Sequence, residues 1–160
     1  MNAIDRLVRQ HREMEAALKA ILEAQGEERR RLFERSADVL MSHVLVEEQL
    51  FYPAVKAKRT EDILLESLEE HLSLKRIVAD LLALPVADEH FEPKLHVLKE
   101  QAEHHHKEEE EHLFPKVKKL LSSDELDRLG DSMAESQAEL LEAAPRNLSL
   151  SQTQAAAPLR

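Results

Sequence analysis

Histidine and glutamate recur in this chain at spacings that suit metal ligation. His43-x3-Glu47 and His105-x3-Glu109 each set an imidazole and a carboxylate four residues apart, and side chains at i and i+4 share one face of a helix. His11 and His71 each interrupt an otherwise apolar helical stripe. If each of these four segments is one helix of a bundle, four imidazoles and two carboxylates converge in one slab. Unpaired, such a slab is costly, because isolated charges and unsatisfied polar groups each lose several kcal/mol on burial. Two metal ions sharing Glu47 and Glu109 as bridges, with histidines completing each side, relieve that cost. Singly, an H-x3-E pair is an ordinary surface ion pair and a lone core histidine is unremarkable. Their recurrence in matching context is what points to metal.

The elements that must hold these residues are helices nearly throughout, given abundant Leu, Ala, Glu, Lys and Arg and two glycines. Helix 1 is expected from an Asn2 N-cap to about Ala24, with the stripe Ile4, Leu7, His11, Met14, Leu18, Ile21 and a stop at Gly26. Helix 2 spans about 27–58 with the stripe Leu32, Ser36, Leu40, His43, Glu47, Leu50, Ala54. Pro53 predicts a kink or a last irregular turn there. Helix 3 covers about 61–84, with Leu64, Leu68, His71, Leu74, Val78 and Leu81, and Pro85 closes it. Helix 4 covers about 92–121, with Leu95, Leu98, Ala102, His105, Glu109, Leu113, Val117 and Leu120.

A capping box, Ser122-x-x-Glu125, announces a fifth helix to about Ala143, where Pro145 intervenes. The segment is also duplicated: HVLVEEQLFYPAVK (43–56) aligns without gaps on HHKEEEEHLFPKVK (105–118) at an offset of 62, and His11 matches His71 at an offset of 60. The expected fold is all-α: an antiparallel up-down-up-down four-helix bundle over residues 1–121, an additional C-terminal helix over 122–144, and a short mobile tail over 145–160.

Composition removes other chemistries. Lys+Arg number 22 against 32 Asp+Glu, a net charge of −10, so no basic face is expected for nucleic acid or an anionic membrane. There is no cysteine, which excludes disulfides, thiolate zinc sites and iron–sulfur clusters. Gly26 and Gly130 are too isolated for a phosphate-binding loop. The start, MNAIDRLVRQHREME, lacks an apolar signal core, and no apolar run approaches a membrane span, so a cytoplasmic setting is expected. Of the other histidines, His104 and His106 flank His105 by about 100° on the helix and are expected at the surface. His90 and His96 fall in or near the loop, and His112 at a boundary. Tyr52 and His112 are candidates to touch the ligands from outside and serve in acid–base chemistry.

The ordered pattern (one His, then H-x3-E, then one His, then H-x3-E, each pair followed by Glu and then LF-P or LFYP) resembles the hemerythrin-like HHE cation-binding family over residues 1–121. The resemblance implies a non-haem di-iron centre with two iron ions per chain, oxo- or hydroxo-bridged. Its ligands would be His11, His43, Glu47, His71, His105 and Glu109, with Glu47 and Glu109 bridging. It also implies a small-molecule partner, namely dioxygen, hydrogen peroxide or nitric oxide, a chain that is a monomer or weak homodimer, and, if enzymatic, catalase-like peroxide decomposition. Two departures stand out. The oxygen carriers place a fifth histidine one turn from the helix-3 histidine, where this chain has Ser67 and Lys75, and they end in H-x4-D where this chain has His105-x3-Glu109. The resemblance therefore favours peroxide or nitric oxide chemistry over reversible oxygen carriage. The alternative is an iron, oxygen or nitric oxide sensing module without turnover.

Overall fold

The computed structural model describes residues 1–160, which are helical with no strands. α1 is Ala3–Glu23 and α2 is Gly26–Val46, running on through a π-helical turn at Glu47–Phe51 into Tyr52–Val55. α3 is Glu61–Ala83. α4 is Phe91–Glu108, running on through a second π-helical turn at Glu109–Leu113 into Phe114–Leu120. α5 is Ser123–Glu142, followed by a 3-10 turn at Pro145–Asn147 and the short α6, Leu148–Ser151. No helix is long and apolar enough to cross a membrane.

Two apolar clusters occupy the two ends of the bundle, and the histidine slab lies between them. One joins Ile4, Leu7, Phe51, Val55, Leu64, Leu68 and Val117. The other joins Leu18 and Ile21 from the end of α1, Phe33 from the start of α2, Val78 and Leu81 from the end of α3, and Phe91 and Leu95 from the start of α4. Those four ends meet, so successive helices alternate in direction. The stripes expected on α1 and α3 are buried throughout.

The helix ends are tied by specific groups. Asn2 Oδ1 accepts from the Asp5 backbone N–H at 2.9 Å, and Ser122 and Glu125 form the expected reciprocal box at 3.1 and 3.0 Å. Two arginines in the first turn of α2 serve its neighbours. Arg29 donates to the carbonyls of Ile21, Leu22 and Ala24 at the end of α1, and Arg30 to those of Leu81, Leu82 and Leu84 at the end of α3. Each cation satisfies orphan carbonyls at the negative end of a helix dipole.

The structure departs from the sequence expectation at several places, and Leu120, expected in the last stripe of α4, is exposed. Helix 1 ends at Glu23, and Gly26, at φ 56°, opens α2. In the first half of α2 the core takes Phe33 and Ala37, while Leu32 and Ser36 are only half-buried. After Glu47 the core takes Phe51 and Val55, with Leu50 half-buried at its edge and Ala54 exposed. The π-helical turn accounts for this last shift. Pro53 has no N–H and its ring would clash with the carbonyl one turn back, and the chain responds with a wider turn in which the Tyr52 N–H reaches the Glu47 carbonyl. The extra residue rotates the following face by about 100°. Pro115 is preceded by the same turn, with the Phe114 N–H on the Glu109 carbonyl.

Residues 145–160, expected as a mobile tail, carry more structure than their composition suggests. Arg146 bonds Asp38 through its backbone N–H and its guanidinium, Arg76 donates to the Thr153 and Gln154 carbonyls, and Ala156, Ala157 and Leu159 pack against the Phe51 end of the core. Small apolar residues give no periodic signal in sequence, yet they fill a shallow surface once the bundle provides one.

α5 crosses the start of α1 at Gly130. A methyl group there would overlap the Met1 carbonyl and sit 2.9 Å from the backbone of Asn2 and Ala3. Gly130→Ala is expected to destabilise the chain by about 1–3 kcal/mol through overpacking, measured as a lowered midpoint in urea unfolding. Gly26→Ala meets open space and is expected to cost about 1–2 kcal/mol through left-handed strain alone.

Candidate metal centre

All six expected ligands are buried and meet at one level of the bundle. His11, His71, Glu47 and Glu109 are fully inaccessible, and His43 and His105 are each 2% exposed. His43 Nε2 lies 3.3 Å and His71 Nε2 3.2 Å from Glu47 Oε1. Glu109 Oε1 lies 3.2 Å from His11 Nε2 and 3.4 Å from His105 Nε2. Three overlapping donor groups result, each with ligand atoms within 4.8 Å of one another: His11, His43, Glu47 and Glu109; Glu47, His71 and His105; and His11 and His43 with His106, a residue outside the expected set.

The opposite nitrogen of every one of these imidazoles is held. His11 Nδ1 donates to Glu110 at 2.7 Å, His43 Nδ1 to Gln10 at 2.8 Å, His71 Nδ1 to Glu48 at 2.9 Å and His105 Nδ1 to Glu70 at 2.7 Å. Donation from Nδ1 fixes the tautomer and leaves Nε2 as a lone-pair donor facing inward, the arrangement metal-binding histidines use. These acceptors follow the duplication. Gln10 and Glu70 precede His11 and His71, while Glu48 and Glu110 follow Glu47 and Glu109, so the bonds are related by the offsets of 60 and 62.

The Nε2 atoms of His71 and His105 meet each other at 3.1 Å, but most of the inward atoms have no partner. His11 Nε2, His43 Nε2, both Glu47 oxygens and Glu109 Oε1 are buried without a hydrogen-bond partner, and they are the only such side-chain atoms in the chain. They are near in distance but not aligned, aiming at common points between them. Buried polar atoms without partners are rare and demand an explanation, and cations at those points supply one. The donor set of imidazole and carboxylate, with no thiolate, fits a first-row metal such as iron.

Protonation reflects the same crowding. Burial opposes charge on His105, yet the carboxylates of Glu109, Glu47 and Glu70 outweigh it and hold its pKa well above the usual value. His11 and His71 are also raised, against burial, by Glu109 and by Glu47 with Glu48. At His43 burial prevails and the pKa falls. Burial and the charge of Glu47 push Glu109 up. Glu47 itself is held well below the carboxylate range by His43 and its neighbours despite burial. Tyr52 is raised well above its usual value by burial and the nearby carboxylates, so its hydroxyl keeps its proton and donates to Glu109 Oε2 at 2.8 Å.

Sequence reasoning missed part of this surrounding shell. His106, expected at the surface, is 1% exposed. It stacks on His11 with ring centroids 3.9 Å apart and donates from Nδ1 to Glu15 at 2.9 Å. Burial and the adjacent imidazoles keep it neutral. An angle of about 100° from the ligand face points it at α1 rather than at water, and only the packing of α1 on α4 reveals that. Tyr52 is buried and lies 3.2 Å from His71 Nε2. His104 is exposed, as expected; His112, expected at a boundary or beside the ligands, is exposed as well, and so are His90 and His96.

A family model for the hemerythrin HHE cation-binding domain matches residues 2–117. The chain belongs to that family. A solved structure, the crystal structure of a hemerythrin HHE cation-binding domain-containing protein from Mycobacterium kansasii, is similar at a TM-score of 0.80 and 26% identity, covering 96% of this chain and 95% of that one. No curated protein matches the chain. In this HHE domain the residues brought together at the centre are the H-x3-E pairs and single histidines that the family pattern picks out, and α5 lies outside the matched segment.

Ligation requires neutral imidazoles. Because His11, His71 and His105 are raised, metal uptake near neutral pH must displace protons, so affinity rises with pH until those groups are already deprotonated. Calorimetric titration with a divalent metal in two buffers of different ionisation enthalpy is expected to show release of at least about one proton per chain, falling as pH rises.

Proposed function

We propose that this HHE domain is a non-haem di-iron protein that binds or reacts with small oxidants, namely hydrogen peroxide, nitric oxide or dioxygen. The observation that carries the reading is the set of five unpartnered buried donor atoms, all on the expected ligands. His11 and His43 would hold one ion and His71 and His105 the other, with Glu47 and Glu109 between them. Bound there, a pair of irons supplies Lewis acidity and a two-electron store.

The chain's own groups complete the setting. Glu48, Glu70, Glu110 and Gln10 orient the imidazoles. The Tyr52 hydroxyl holds a proton beside Glu109 Oε2 and His71, the one phenolic proton in the chain. The positions one turn from His71 hold Ser67 and Lys75, and Lys75 Nζ is taken by Glu48 at 2.9 Å. Neither adds an imidazole on that side, which favours an exchangeable position for a small ligand.

A sensing role without turnover is supported by a separate contact. Gln10, which holds His43, also donates to Gln137 of α5 at 2.5 Å, and Gln137 donates to Ser42 at 3.1 Å. A change at His43 therefore has a two-bond path to the additional helix.

Iron-loaded protein is expected to hold two ions per chain by metal analysis and to release oxygen from hydrogen peroxide faster than the same concentration of free iron. His43→Ala and Glu109→Ala are expected to lose at least about tenfold of that rate, as loss of a ligand or its support does. Uptake below one ion per chain contradicts the di-iron reading. Two bound ions without turnover, together with altered amide exchange in α5 between oxidised and reduced protein, select the sensor.

A further inference from the structure

The duplicated halves of the centre differ at a few paired positions, and the differences leave one side closed and the other open. At the offsets of 60 and 62, Leu7 pairs with Ser67, Phe114 with Tyr52, and His106 with Val44. On the His11–His43 side, Leu7 and Phe114 are buried apolar side chains, and His106 covers the outer face of His11. α5 then lies over α1 and α2, with Gln137 bonded to Gln10 and Ser42.

On the His71–His105 side a cleft of about 500 Å³ runs between α3 and α4, reaching Ser67 and Glu70. Glu70 holds His105. Ser67 is 3% exposed and lies beside the Tyr52 hydroxyl. One turn from His71, it shares that residue's inward face. The leucine of the paired position would fill this space.

We propose that the α3–α4 cleft is the entrance by which an uncharged small oxidant reaches the centre, with Ser67 as its inner constriction. The proposal rests on the small-oxidant reading above and adds the side on which exchange occurs. The mouth carries Glu66, Glu70, Glu108 and Glu111 against Lys116 and Lys119, an excess of carboxylates that disfavours anions. Two other recesses compete: one of about 360 Å³ beneath the C-terminal segment reaches Glu48 and Lys75, which close it inward with their ion pair, and one of about 180 Å³ between α1 and α2, bounded by Met14, Leu18 and Leu40, touches none of the six expected ligands.

Tyr52 is the only tyrosine and there is no tryptophan, so the intrinsic fluorescence of the full chain reports on a ring next to Ser67. In the zinc-loaded protein, which is optically silent, dissolved dioxygen is expected to quench Tyr52 and iodide to quench it far less. Ser67→Leu is expected to lower the dioxygen quenching constant roughly threefold or more, because access then waits on local opening. Ser67→Ala is expected to match or exceed the parent, and Ala17→Leu, which fills the α1–α2 recess, to leave quenching unchanged. In the iron-loaded protein, Ser67→Leu is expected to lower kcat/KM for peroxide with iron content unchanged. Equal quenching in Ser67→Leu and the parent, or a loss in Ala17→Leu instead, overturns the entrance. If the parent takes up no iron but Ser67→Leu still reduces quenching, the small-oxidant reading fails while the route stands.

Discussion

Six inward-facing imidazoles and carboxylates in the middle of a four-helix bundle are the constraint on which the rest of the structure depends. Five of their inner atoms have no hydrogen-bond partner, so the apolar clusters at either end must hold the helices together across a layer whose centre is unsatisfied without cations. Metal binding and folding are coupled in such a layer, since the ions supply the attraction that the polar atoms lack. The outer hydrogen bonds keep the imidazoles from turning their rings away from the centre. Each Nδ1 is anchored to a carboxylate or amide on an adjacent helix, which commits Nε2 to the interior.

The duplication gives this layer an approximate twofold order. His71 bonds the carboxylate after Glu47, and His11 the carboxylate after Glu109. The order is broken where function would need it broken. A phenol faces a phenyl ring across the pseudo-symmetric positions, a buried lysine–glutamate pair supports one side, and a stacked neutral histidine supports the other. The two halves of the donor set thereby acquire different surroundings, one lying beneath α5 and one beside the α3–α4 cleft.

Proline shapes the centre from one turn away. Pro53 and Pro115 each follow a ligand glutamate by six residues, and each is accommodated by a widened turn that begins at that glutamate. The widening turns Phe51 and Tyr52 inward in α2, and Leu113 and Phe114 in α4, directly beyond the metal level. Three aromatic side chains of the bundle's end cluster, Phe51, Tyr52 and Phe114, therefore owe their placement to a missing N–H. The duplicated sequence contains this information: aligning 43–56 on 105–118 places Phe51 and Val55 opposite Leu113 and Val117, although the helical stripe taken alone points to Leu50 and Ala54.

Most of the fold and the inner donor set were legible in the sequence because both rest on local periodicity. A 3.6-residue repeat states which face of its own helix a residue occupies, and the i, i+4 spacing of His43 with Glu47 and of His105 with Glu109 states that each pair shares it. Asn2, Ser122 and Glu125 announced helix starts for the same local reason. What periodicity leaves open is which neighbour covers the face beside the stripe. His106 lies about 100° from the ligand face, a position that is surface on an isolated amphipathic helix and interior once α1 packs there. The acceptors Glu48, Glu70 and Glu110 look like solvated charges until adjacent helices bring histidines to them. The closed side beneath α5, the open cleft at Ser67 and the docked C-terminal segment were likewise decided by tertiary packing, since each depends on contacts between residues far apart in the chain.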